Sequence, residues 1–224
     1  PPEFVAASDG NPVVGLPNIE FHITGAERYE ATYTAFTTPG TYQVLIYARD
    51  NLGNTSAPKV TTVTAVNPLA RRALIVAGGS VSGTAWKSVE KNARGAYDAL
   101  RFQGYHENDI YYLSPIYTSG VDALATSGNV QWAIESWAAS HTQDFTVYLV
   151  GPGVSGAFSL SGGQTITAAQ FDGWLDTLQA SLPGRLTVVY DANYSGAFLS
   201  ALRAPAGKQR ITMTSAAASQ TACF

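Results

Sequence analysis

Hydrophobic positions follow two different rhythms along the chain, and the change falls close to residue 67. Before it, short runs rich in β-branched and aromatic residues are separated by turn formers. These are Glu20-Phe21-His22-Ile23, Tyr29-Glu30-Ala31-Thr32-Tyr33-Thr34-Ala35-Phe36, Tyr42-Gln43-Val44-Leu45-Ile46-Tyr47-Ala48 and Val60-Thr61-Thr62-Val63-Thr64-Ala65-Val66. Pro39-Gly40 and Asn51-Leu52-Gly53-Asn54 stand between them, so the pattern predicts strands joined by tight turns, a small all-β sandwich. Asn67-Pro68-Leu69 reads as the linker, because Pro ends a strand and restricts the residue before it.

After the linker, strands alternate with helices. Ala73-Leu74-Ile75-Val76-Ala77 is a continuous apolar run closed by Gly78-Gly79, as for a strand buried on both faces. Trp86, Val89, Ala93, Ala96, Tyr97 and Leu100 recur at helical spacing, with Gly104 as the stop. Ile110-Tyr111-Tyr112-Leu113 predicts a second strand, Val130, Ile134 and Trp137 a second helix, and Phe145-Thr146-Val147-Tyr148-Leu149-Val150 a third strand. Thr167 with Gln170 forms a capping-box signature ahead of a helix whose apolar face is Phe171, Trp174, Leu175 and Leu178. Leu186-Thr187-Val188-Val189-Tyr190 and Arg210-Ile211-Thr212-Met213-Thr214 complete the strands. This alternation implies an α/β domain of three layers, with a mostly parallel sheet between helices. Ligands of such sheets bind beyond the carboxyl ends of the strands, which directs attention to the residues after Gly78, Gly151 and Asp191.

Composition narrows the function classes. The 224 residues are 46% hydrophobic and 13% charged with a net charge of −3, which suits a globular chain and offers no basic field for nucleic acid. No apolar run approaches the roughly 20 residues of a membrane-spanning helix. The single cysteine, Cys223, has no partner within the chain, and three scattered histidines, His22, His106 and His141, are not at ligand spacing, so no metal or other cofactor is expected.

Two strand ends carry a resemblance. Tyr148-Leu149-Val150-Gly151-Pro152-Gly153 is similar to the apolar strand and His-Gly of the caspase, legumain, gingipain and metacaspase clan, with Pro152 at the His position. Val188-Val189-Tyr190-Asp191-Ala192-Asn193-Tyr194-Ser195-Gly196 resembles that clan's Asp-Ala-Cys-x-Ser-Gly, with Asn193 at the Cys position. Ile75-Val76-Ala77-Gly78-Gly79, Gln103-Gly104-Tyr105, Asp109-Ile110-Tyr111-Tyr112-Leu113-Ser114-Pro115 and Trp174-Leu175-Asp176-Thr177-Leu178-Gln179 add similarity to bacterial legumain-like members. Upstream, Pro39-Gly40-Thr41-Tyr42-Gln43-Val44 and Ala48-Arg49-Asp50-Asn51-Leu52-Gly53-Asn54-Thr55-Ser56 resemble the last strands of bacterial immunoglobulin-like modules.

The resemblance implies an immunoglobulin-like sandwich over residues 1–67, incomplete at its start. It implies a caspase-like peptidase-fold domain over 68–224, incomplete at its end. It further implies an exported bacterial protein at the cell surface, in the periplasm or outside the cell. In the clan a thiolate attacks the scissile carbonyl, the His handles the proton, and backbone N–H groups hold the oxyanion. An asparagine amide is no nucleophile and a proline side chain neither accepts nor donates a proton, so thiol-protease chemistry is expected to be absent. What remains is a set of binding positions: the N–H groups of Gly153 and Asn193, Ser195, and Asp191, which matches the acidic residue that lines the pocket for a substrate Lys or Arg in metacaspase-like relatives. The expected partners are a peptide or protein, and a complementary C-terminal segment or second chain beside the fifth strand.

Two other readings stay open: an inactivated form of an endopeptidase that cuts after basic residues, and a hydrolase using Ser195 with His141 and Asp191. Against the last, Ser195 is expected simply to cap the helix carrying Phe198, Leu199 and Leu202, and His141 to lie at the wrong end of the sheet. Gly-Pro-Gly at residues 151–153 also reads as a tight turn, and Asp50 as the centre of a hydrogen-bonded turn rather than a calcium loop.

Overall fold

In a computed structural model, which describes residues 19–66 and 68–222, the chain divides into two compact units, Pro1–Pro68 and Leu69–Phe224. In the first unit β1 (His22–Gly25) pairs with β2 (Arg28–Glu30), and β3 (Gly40–Ile46) pairs antiparallel with β4 (Lys59–Ala65) from Gly40↔Ala65 to Ile46↔Lys59. These are separate two-stranded sheets, so among the described residues no sandwich is formed. The run predicted over residues 29–36 stops being a strand after Glu30. Among the described residues no other strand offers it a ladder, and its aromatics are held by side-chain packing, Tyr33 on Phe36 at 4.7 Å and Phe36 on Tyr42 at 4.9 Å between ring centres. Asp50 behaves as expected of a turn: Oδ1 accepts the N–H groups of Leu52 and Asn54, Oδ2 accepts Asn54 Nδ2, and these bonds hold its carboxyl below the ordinary range.

The second unit is an α/β domain. Its elements are β5 (Ala70–Ala77), α1 (Trp86–Phe102), β6 (Ile110–Ser114), β7 (Ala123–Leu124), α2 (Ser127–Trp132), β8 (Thr142–Gly151), β9 (Gly153–Val154), β10 (Ala157–Ser159), β11 (Thr165–Thr167), α3 (Ala168–Ser181), β12 (Leu186–Ala192) and β13 (Arg210–Thr214). The main sheet has six parallel strands in the order β13-β12-β8-β5-β6-β7, flanked by helices. Chain order runs outward from β5 in both directions, so the connections leaving β5 and β8 diverge at their carboxyl ends, the position where such sheets take ligands.

Both faces are covered, as a continuous apolar strand requires. On one side Leu74, Val76, Val147, Leu149, Leu186 and Val188 pack against Val130 and Ile134 and against Phe171, Leu175 and Leu178 of α3. On the other, Ala73, Ile75, Ala77 and Val150 meet Val89 and Ala93 of α1, with Trp86, Ala96, Tyr97 and Leu100 around them. That is the helical stripe read from the sequence. Each fully buried aliphatic side chain here contributes about 1.5–3 kcal/mol. Gly104, at φ +86°, turns the chain out of α1. Thr167 and Gln170 form the reciprocal capping box of α3. The second predicted helix is α2 extended by a π-helical turn at Ala133–Trp137.

Strand β13 lies at the sheet edge, with Ile211 and Met213 44% and 48% exposed on one face. Its other face is clamped to α3. The Arg210 guanidinium is completely buried, bonded at 2.6 Å to each of Asp172 and Asp176 and at 2.7 Å to Gln179 Oε1. Residues 172, 176 and 179 fall on one helical face, so about two turns of α3 present all three acceptors together.

Among the described residues, three buried polar atoms are unsatisfied, Tyr47 Oη, Arg72 Nε and Tyr190 Oη, and the last lies in the core beside the strand ends. Tyr190 is 1% exposed between Phe158 and Phe198, its hydroxyl has no hydrogen-bond partner, and burial pushes its ionisation well above the ordinary phenol range. Tyr190→Phe removes an orphaned polar atom while keeping the ring, and is expected to stabilise the unit by about 1 kcal/mol. A urea midpoint that falls instead would show that the hydroxyl has a partner.

Candidate functional site

The site is set by the register of two neighbouring strands. Parallel pairing of β8 with β12 brings Val150 opposite Asp191 and Gly151 opposite Ala192, so the next residues, Pro152 and Asn193, leave the sheet side by side. Close packing keeps them there. A Cβ on Gly153 would run into the Asn193 carbonyl oxygen, and one on Gly79 would sit 2.8 Å from the Pro152 ring. Glycine is therefore required at both positions for steric reasons. Three strand ends, those of β5, β8 and β12, thus meet around residues 79, 152 and 193.

Pro152 does not sit in a tight reversal, as Gly-Pro-Gly had suggested. Gly151 is still paired in β8, and Gly153 already pairs with Phe158 in β9, so Pro152 carries extended chain from one sheet to the next. Its carbonyl accepts Ser159 N–H at 3.1 Å, and Ser159 returns its own carbonyl to Gly79 N–H at 3.1 Å. Because ladder bonds alternate along an antiparallel pair, the bond at Pro152 leaves the Gly153 N–H pointing off the β10 side.

Asp191 is half-buried and held by an unexpected partner. The Tyr148 hydroxyl donates to its Oδ2 at 3.1 Å. Burial, and then the Asp191 charge, push the Tyr148 phenol far above its ordinary range, so it remains a neutral donor throughout the physiological range. The pair fixes the carboxylate at the strand end, and among the described residues no hydrogen bond reaches Oδ1. A fixed carboxylate with a free oxygen can receive an ammonium or guanidinium group.

The turn after β12 faces residues 215–222. Tyr194 takes a left-handed conformation, φ +59°, which costs a non-glycine residue about 1–2 kcal/mol. Its N–H donates to the Gln220 carbonyl at 2.7 Å, and Asn193 Oδ1 accepts the Ala222 N–H at 2.8 Å. Ser195 does not cap a helix. The short 3-10 segment Ser195–Phe198 begins at that residue, and the Ser195 hydroxyl is fully buried, exchanging bonds with the Ala216 carbonyl at 3.3 Å and the Ala216 N–H at 3.1 Å. Its small side chain lies against the returning chain, which competes successfully for the hydroxyl.

The other candidates lie apart. His141 immediately precedes β8, whose ten residues separate it from the strand-end site by about 30 Å, so Ser195 and His141 do not meet. His22 is in β1, and His106 caps a 3-10 turn by accepting Asn108 N–H. Cys223 lies outside the described residues. Among the described residues no group of three or more His, Cys, Asp or Glu side chains gathers, and no helix is long and apolar enough to cross a membrane. The Tyr148 partnership was missed because a strand sequence gives the face of each residue but not its offset against the neighbouring strand.

No protein-family model matches the chain, and no curated protein matches it.

Proposed function

We propose that the second unit is a caspase/legumain-like peptidase frame without catalytic power that binds basic segments of peptides or proteins at the ends of β8 and β12, as a recognition module of an exported bacterial protein. The pairing of Gly151 with Ala192 carries the reading: it makes residues 152 and 193 neighbours, as a base and nucleophile need to be, and the side chains there are Pro and Asn. Asp191, steadied by Tyr148, supplies the anion for a Lys or Arg side chain, and the Gly153 N–H supplies a donor for a peptide carbonyl. The first unit, with its in-register β3–β4 pair and Asp50 turn, is read as part of an immunoglobulin-like spacer.

The test is incubation of the protein with fluorescent peptides bearing Lys or Arg, Asp, or Asn at the reporter position. The expected result is saturable binding of the basic peptides and none of the others, with every peptide recovered intact. Cleavage that iodoacetamide does not stop would overturn the proposal.

A further inference from the structure

The residues that follow β13 do more than leave the sheet. Ser215 N–H still bonds to the Tyr190 carbonyl, continuing the β12 ladder, and from there residues 215–222 turn back across the end of β12. Their attachment has two parts. At the root, Ala216 exchanges bonds with the Ser195 hydroxyl and accepts Gly196 N–H at 2.9 Å, and a Cβ on Gly196 would collide with Ala216 and Ala218. At the far end, Gln220 and Ala222 are held by Tyr194 N–H and Asn193 Oδ1.

We propose that residues 215–222 form a strap over the strand-end cleft, that Asn193 is the positioning residue that latches its far end, and that strap and incoming peptide compete for the turn at residues 193–194. The inference rests in its last part on the peptide-binding reading above. Residues 217–221 are exposed and only Ala216 and Ala222 are half-buried, so the strap buries little apolar surface to hold it. Its far end depends on hydrogen bonds, and such segments open locally at low cost. What holds them is recognition of the strap's backbone: the carbonyl of residue 220 accepts the Tyr194 N–H and the N–H of residue 222 donates to the Asn193 carboxamide oxygen, groups that the backbone of an extended peptide could also engage. A thiol at position 193 accepts hydrogen bonds only weakly, whereas the carboxamide is a full acceptor. Replacing the nucleophile with Asn thus adds an interaction as well as removing one.

The experiment is amide hydrogen exchange on the whole chain, comparing wild type with Asn193→Ala and Asn193→Asp. Asn193→Ala is expected to speed exchange at residues 219–222 by about tenfold, the effect of one lost hydrogen bond, and to leave β8 and α3 unchanged. Asn193→Asp keeps the acceptor and is expected to retain wild-type protection. Unchanged exchange in Asn193→Ala, or equal loss of protection in both variants, would overturn the latch. The same variants are titrated with a fluorescent Lys peptide, whose affinity is expected to rise in Asn193→Ala. Faster exchange with an existing Lys-peptide affinity left unchanged overturns the competition and leaves the recognition reading standing, whereas faster exchange with no peptide binding in any variant overturns recognition and leaves the latch in place.

Discussion

Asp172→Ala/Asp176→Ala is expected to destabilise the α/β unit by about 3–5 kcal/mol, the cost of leaving a buried charge without its partners. The Arg210 guanidinium has no exposure of its own, so it cannot recover solvation when both carboxylates are removed. Gln179 would remain as its one side-chain acceptor, a neutral group opposite a full charge. Arg210→Met is expected to cost clearly less. Asp172 and Asp176 are 24% and 45% exposed, so their charges return to water when the arginine is gone, and Met fills much of its volume. Urea denaturation at neutral pH measures both. Equal losses in the two variants would mean that packing, rather than charge compensation, holds β13 to α3.

Pro152→His/Asn193→Cys is expected to cut basic peptide reporters, while wild type and both single variants stay at background. A Cys at 193 alone has no base beside it, and a His at 152 alone has no nucleophile. Groups that act as a unit are lost as a unit, on the order of a millionfold in rate for a nucleophile and its base, so one restoration recovers almost nothing. With both present, the β8–β12 register sets them side by side, and the double variant is expected to exceed Asn193→Cys by about 10²–10⁴-fold, the contribution of a positioned base. Iodoacetamide should abolish that rate. Equal rates in the double variant and Asn193→Cys would show that residue 152 does not address residue 193.

Much of the α/β unit was legible because its signals are local. Five apolar runs became strands, the stripe from Trp86 to Leu100 became the buried face of α1, and Thr167 with Gln170 became a capping box. Residues 29–36 misled because strand propensity describes a half-buried pleated surface, and among the described residues no neighbouring strand provides one beyond Glu30. Within the site, Pro152, Asn193 and Asp191 were readable as strand-end residues. Their partners were not: the Tyr148 hydroxyl reaches Asp191 from 43 positions away, and Asn193 meets Ala222 from 29. Such contacts depend on inter-strand offset and on the path of a returning segment, neither of which any short sequence window encodes. Ser195 was misassigned for the same reason, since a cap is local but its actual partner, Ala216, is brought in by β13.

The central claim, that the cleft recognises a basic peptide without cutting it, is tested most directly by titrating a fluorescent Lys peptide into wild type and Asp191→Asn and then weighing the peptide by mass spectrometry. The account predicts saturable binding to wild type, at least tenfold weaker binding to Asp191→Asn for loss of a charge-assisted hydrogen bond, and an intact peptide in both. Equal affinities, or a cleaved peptide, would contradict it.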